Sequence, residues 1–168
     1  MDLTPTLSPG LVHPETLCHD DLAVRIKDFL NLVHDGLPDQ LPRQLREHDW
    51  RVRWSLLQVY FEKPSIHYEV WVQRKARRIE LGLHFECERE ESYRWAEVLA
   101  PRSIEIQAQL GQYVELEEWT KSWTRLHETI HMETELNESL AAEVTQRLAR
   151  YIEVLEPMLQ EERAALAG

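Results

Sequence analysis

The stretch Ile66 to Cys87, IHYEVWVQRKARRIELGLHFEC, holds two runs in which apolar and polar residues alternate on either side of a basic tip. Strand side chains point alternately to opposite faces, so Ile66, Tyr68, Val70 and Val72 share one face. Ile79, Leu81, Leu83, Phe85 and Cys87 do the same in the second run. Two such faces in close succession predict a β-hairpin, and burying them requires helices on one side of the sheet. A one-residue slip would turn one apolar set toward water, so the residue numbers of paired positions must sum to an odd value. The expected register sets Val72 opposite Leu81 and Val70 opposite Leu83. It leaves Lys75, Ala76, Arg77 and Arg78 as the loop and places Trp71 over the bare backbone of Gly82.

On the polar face, that register pairs His67 with Glu86 and Glu69 with His84. Imidazoles and carboxylates in such a cluster suit cross-strand charge pairing, worth about 0.2–1 kcal/mol per pair, and they also suit a metal or acid/base site. Charge pairing is the plainer account, because each residue of the cluster has a partner in this register.

At 168 residues the chain is long enough for one ordinary domain that buries roughly 70% of its unfolded surface, without help from disulfides or metals. Two cysteines, Cys18 and Cys87, do not make a disulfide framework. No run approaches the length of a membrane span, and Met1 to Gly36 lacks the basic start and apolar run of a signal peptide, so a cytosolic protein without membrane partners is expected. The formal charge is −11, and all of the excess lies after residue 78. Residues 43–78 hold nine basic and four acidic side chains, a local basic stretch on an acidic chain.

The expected architecture is α+β: an antiparallel meander of three or more strands, covered by helices and ending in a long C-terminal helix. Residues 1–19, with Pro5, Pro9, Gly10 and Pro14, form an extended N-terminal segment, and 20–168 form a single α+β domain. Asp20 or Asp21 can cap a helix with the stripe Leu22, Ile26, Phe29, Leu30 and Val33, which Asp35-Gly36 should stop. Trp50 to Phe61 reads as one strand, bulged in the middle. Helices follow over Glu88–Leu99 and, after Pro101, over a piece using Ile104, Ile106, Ala108 and Leu110. Val114 and Leu116 mark a short strand, whereas Trp119 to Met132 fits either period. Leu136, Leu140, Val144, Leu148, Tyr151, Ile152, Leu155 and Leu159 make the final stripe, in a helix that Pro157 should kink or end.

One catalytic motif is present. His127-Glu128-Thr129-Ile130-His131 matches H-E-x-x-H, which on a helix puts two imidazoles on one face as zinc ligands and leaves the glutamate as general base. Over these five residues the chain resembles the zincin metallopeptidases. That resemblance implies His127 and His131 as ligands, Glu128 as base and zinc as cofactor. In a strand, however, Glu128 would point away from both histidines.

A broader resemblance covers IELGLHFE, IEIQAQLG, VELEEW and RLARYIEVLEPML in that order. It is to an uncharacterised bacterial domain of unknown function found beside or fused to DNA-restriction systems, and it carries no site residues over. The nuclease pattern PD-(D/E)xK is missing, since neither Glu69-Val70-Trp71 nor Glu80-Leu81-Gly82 has its lysine. The leading expectation is a non-catalytic module without cofactor that binds another protein; the alternative is a zinc-dependent hydrolase using HETIH. Arg51, Arg53, Arg74, Lys75, Arg77 and Arg78 are the expected partner-binding residues. A nucleic acid or a second copy of the chain is left open as partner.

Overall fold

The structure, a computed structural model, describes residues 24–167. The extended segment over 1–19, the Asp20 or Asp21 cap and Leu22 lie outside the described residues. Helix α1 (Ile26–Gln40) leads into a 3-10 turn at Arg43–Leu45, followed by strands β1 (Asp49–Arg53), β2 (Leu56–Tyr60), β3 (Ile66–Gln73) and β4 (Arg78–Phe85). Helices α2 (Arg89–Leu99) and α3 (Ser103–Leu110) precede β5 (Glu115–Glu118) and β6 (Thr124–His131), and α4 (Glu138–Ala167) ends the chain. The six strands form one open antiparallel sheet in the order β1-β2-β3-β4-β6-β5. No helix among the described residues is long and apolar enough to cross a membrane.

The alternation in β3 and β4 does what it requires. Tyr68, Val70, Val72, Ile79, Leu81, Leu83 and Phe85 are buried in the core with Leu57, Val59 and Leu126. Against them stand Phe29, Leu30, Val33 and Leu37 of α1 and Val144, Leu148, Ile152, Leu155 and Leu159 of α4. Each such side chain contributes about 1.5–3 kcal/mol by leaving water, which is why the sheet's apolar face selects its helical cover. Asn137 starts α4, its Oδ1 accepting a hydrogen bond from Leu140 N at 2.8 Å.

The hairpin register keeps the expected parity but differs by two residues. Val72 pairs with Ile79, Val70 with Leu81, Trp71 with Glu80 and Glu69 with Gly82. The loop is therefore Arg74 to Arg77, closed by Arg77 in the left-handed region at φ 50°. A third strand accounts for the position of Gly82, which lies opposite His127 of β6. A Cβ at Gly82 would press into the Leu126 carbonyl and come within 2.6 Å of His127 Cβ. The glycine makes room for β6, not for Trp71.

Other expectations are corrected. Trp50 to Phe61 is two strands joined by a tight turn at Trp54-Ser55, not one bulged strand. Asp35-Gly36 does not stop α1, because Gly36 is a contact point: its Cα position sits where an added Cβ would lie 3.2 Å from Thr145 Cγ2 of α4. Thr145 Oγ1 donates to Val33 O at 3.1 Å or to Ala141 O at 2.7 Å, fixing the two helices at that crossing. Pro157 does not end α4, which runs on to Ala167. In α3 only Ile106 and Leu110 of the expected stripe are buried, since Ile104 stands in solvent.

Candidate functional site

Residues directly opposite in an antiparallel sheet project to the same side, so the pairings define a second, polar face. Across its middle run Arg51, Gln58, Glu69, Gly82, His127 and Glu115. One step toward the Phe85 end lie His67 and His84, which face one another across β3 and β4. These polar side chains are buried: His67 is 0%, His84 2% and Glu69 3% exposed.

Their contacts are specific. Gln58, in the middle of the apolar run LLQVY, accepts from Arg51 Nε at 2.6 Å on its Oε1. Its Nε2 then faces Glu69 Oε2 at 2.8 Å and His67 Nε2 at 3.0 Å. His67 Nδ1 lies 2.8 Å from the Pro64 carbonyl, which can only accept, so Nδ1 carries a proton. His67 Nε2 also stands 3.2 Å from Glu69 Oε2. The two imidazoles stack at 5.5 Å between centroids with planes 15° apart, and the edge of Trp119 meets His84 at 5.0 Å. Burial acts to raise the Glu69 carboxyl, but its polar neighbours, His67 first and then His84 and the Gln58 amide, outweigh it, so the group sits below the usual carboxylate range.

On the other side of Glu69 the polar atoms are less well satisfied. Glu69 Oε1 lies 3.9 Å from His84 Nε2, and Glu86 Oε1 lies 3.8 Å from His84 Nδ1. Both separations exceed hydrogen-bond range. His84 Nδ1 is buried without a hydrogen-bond partner among the described residues. One ligand atom from each of His67, Glu69, His84 and Glu86 lies within 4.8 Å of the others. The sequence placed these four residues together but paired them differently, because a two-residue change of register keeps the face and alters the neighbours.

A second group stands beside β5. Arg125 bridges Glu80 at 2.8 Å and Glu117 at 2.7 Å, while its guanidinium covers the Trp119 ring. His127 Nε2 is 2.8 Å from the same Glu117. Burial and the neighbouring Arg125 charge lower His127 below the ordinary histidine range, so its ring is held neutral. None of Gln58, Glu80, Glu117, Arg125 and Trp119 was singled out in the sequence as a member of this network. Gln58 alone carries a signal, a polar residue inside a buried apolar run.

The HETIH motif lies on β6, not on a helix. His127, Thr129 and His131 therefore project to the polar face and Glu128 to the core face. His127 and His131 are separated by roughly 13 Å of strand, at about 3.3 Å per residue, too far to share one ion. Glu128 forms a two-pronged ion pair with Arg147 of α4, which also donates to the Leu110 carbonyl. The ligand pair and general base implied by the helical motif are not assembled, and Glu128 instead ties the sheet to α4 and to the end of α3.

The six basic residues are distributed unevenly. Arg74 and Arg77 share Glu135 at 3.0 and 3.2 Å, and Arg77 also donates to the Met132 and Glu133 carbonyls. Arg78 bonds Gln73 and Glu80, and Arg51 bonds Gln58. Arg53 and Lys75 are exposed and have no ion pair among the described residues. They lie at the same end of the sheet, because Val72 N donates to Ser55 O at 2.9 Å and brings the β1–β2 turn beside the β3–β4 loop. That turn presents Trp54, which is 88% exposed at φ 51°. The sequence did not mark it, since Trp54 is not a usual turn residue and Ser55 alone is a weak turn signal.

No protein-family model, no curated protein and no solved structure matches this chain.

Proposed function

We propose that this chain is a non-catalytic module that binds another protein through the end of the sheet where Trp54, Arg53 and Lys75 meet. The observation that carries the reading is Trp54. A bulky residue at positive φ costs on the order of 1–3 kcal/mol, and a large ring left in water recovers none of it by burial. Strain kept at an exposed position is characteristic of a functional contact, and tryptophan and arginine are the usual anchors of protein interfaces. Arg53 and Lys75, free of internal ion pairs, give the anchor a basic rim suited to an acidic partner surface. The formal charge of −11 argues against a nucleic-acid backbone as the main partner.

The test is a photo-crosslinking amino acid placed at Lys75 and, as a control, at Gln109 on α3. The expected result is one protein joined from position 75 and not from position 109. Identical products from both positions, or none from position 75, would overturn the proposal.

A further inference from the structure

We propose that His67, Glu69, His84 and Glu86 form a binding site for one divalent first-row transition ion, with zinc fitting the ligand set best. Two imidazoles and two carboxylates are ligands that zinc takes in four-coordinate sites, at about 2.0–2.2 Å from each donor atom.

Four observations support the site independently of the interaction surface. Three of the four residues stand on two adjacent strands, and Glu86 follows directly after β4 with its N–H donated to the Ser65 carbonyl at 2.8 Å, so rigid elements hold most of the geometry. Their candidate donor atoms lie within 4.8 Å of one another, a spread that modest side-chain rotation closes around one ion. The His67 ring is oriented as a ligand would be: Nδ1 donates to the Pro64 carbonyl and leaves Nε2 facing the cluster. Lastly, His84 Nδ1 is buried without a hydrogen-bond partner among the described residues, with Glu86 Oε1 3.8 Å away. Gln58 supplies donors to Glu69 Oε2 and His67 Nε2, whereas Glu69 Oε1 stands 3.9 Å from His84 Nε2.

Direct hydrogen bonding between His84 and the two carboxylates is the competing account of the same cluster, and the gaps of 3.9 and 3.8 Å exceed the reach of a hydrogen bond. The two gaps lie at different nitrogens of the His84 ring, so one ion takes one of these nitrogens and the carboxylate at the other reaches the ion by side-chain rotation, within the 4.8 Å spread of the cluster. His67 joins the set when its Nε2 exchanges the Gln58 amide for the ion. Glu86, 22% exposed at its side chain, forms the rim through which an ion enters.

The experiment uses the untagged full-length chain, stripped with a chelator and titrated with zinc, and with cobalt as a spectroscopic probe. The expected result is one bound equivalent, visible cobalt absorption of a four-coordinate site, and a Tm rise of roughly 5–10 °C at a hundredfold excess of free zinc over Kd. His84→Ala should abolish binding. Glu86→Gln, which leaves the buried network intact, should weaken binding at least roughly tenfold with the metal-free Tm unchanged, so a failure of His84→Ala to fold does not rescue the proposal. His131→Ala should bind as the parent chain does. A folded parent chain that binds no zinc would overturn the assignment. So would binding that survives His84→Ala or Glu86→Gln unchanged, or binding that is lost in His131→Ala. None of these outcomes bears on the Trp54 surface.

Discussion

Glu128 separates two accounts of the HETIH segment, as a general base or as a strut between sheet and helix. Its carboxylate is 10% exposed and its partner Arg147 29% exposed. Removing one member of a fully buried pair costs about 3–5 kcal/mol, because the other is left charged and unpaired. Partial exposure of Arg147 gives it access to water, and Arg147 keeps its bond to the Leu110 carbonyl, so Glu128→Ala should cost about 2–3 kcal/mol. Urea unfolding at neutral pH measures this as a lower midpoint with an unchanged slope. Arg147→Met should cost a similar amount, and the double variant less than the sum, since no charge is then stranded. A coupling of about 1 kcal/mol or more is expected for residues in direct contact. Additive losses, or a stable Glu128→Ala, would refute the strut.

Three other perturbations follow from the structure. Gly82→Ala should destabilise by about 2–3 kcal/mol, because the obstacle is the Leu126 backbone and not a movable side-chain tip; thermal unfolding reads it, and an unchanged Tm would contradict the β4–β6 register. Arg77→Ala should cost about 1–2 kcal/mol, because its guanidinium holds the Met132 and Glu133 carbonyls of the β6–α4 connection, whereas Lys75→Ala on the same loop should be silent. Burial lowers both His34 and His127, so the unfolded chain takes up their protons first as the pH falls. Stability should therefore drop as pH falls below about 6.5, through the window down to the lowered folded values, and His34→Gln with His127→Gln should flatten that slope.

The strand alternation made the sheet and its apolar face legible, because a period of two fixes which residues share a face whatever the register. The same residues could not fix the register itself. Two pairings of equal parity bury the same set, and the bare backbone of Gly82, which points to Trp71 in the sequence, serves β6 instead, through a contact between residues 45 apart. Gly36 misled for a related reason. A glycine near a helix end and a glycine at a helix crossing look alike until Thr145 is placed against it. The His67, Glu69, His84 and Glu86 cluster was visible as alternating polar positions, while Gln58, Arg125 and Trp119 reach it from other strands and a loop. HETIH carried both a helical and a strand period, and its pairing with β4 on one side and β5 on the other, strands distant in sequence or too short to announce the partner, settles it as β6.

The interaction surface is tested most directly by Trp54→Gly, measured for stability and for affinity on the same preparation. Glycine accepts φ 51° without strain, so the metal-free chain should unfold at an equal or higher temperature than the parent. Loss of an anchoring tryptophan costs 2 kcal/mol or more at an interface, so affinity for the crosslinked partner should fall at least roughly thirtyfold. A more stable variant that binds less well is the predicted result; a variant that binds its partner as tightly as the parent chain would contradict the account.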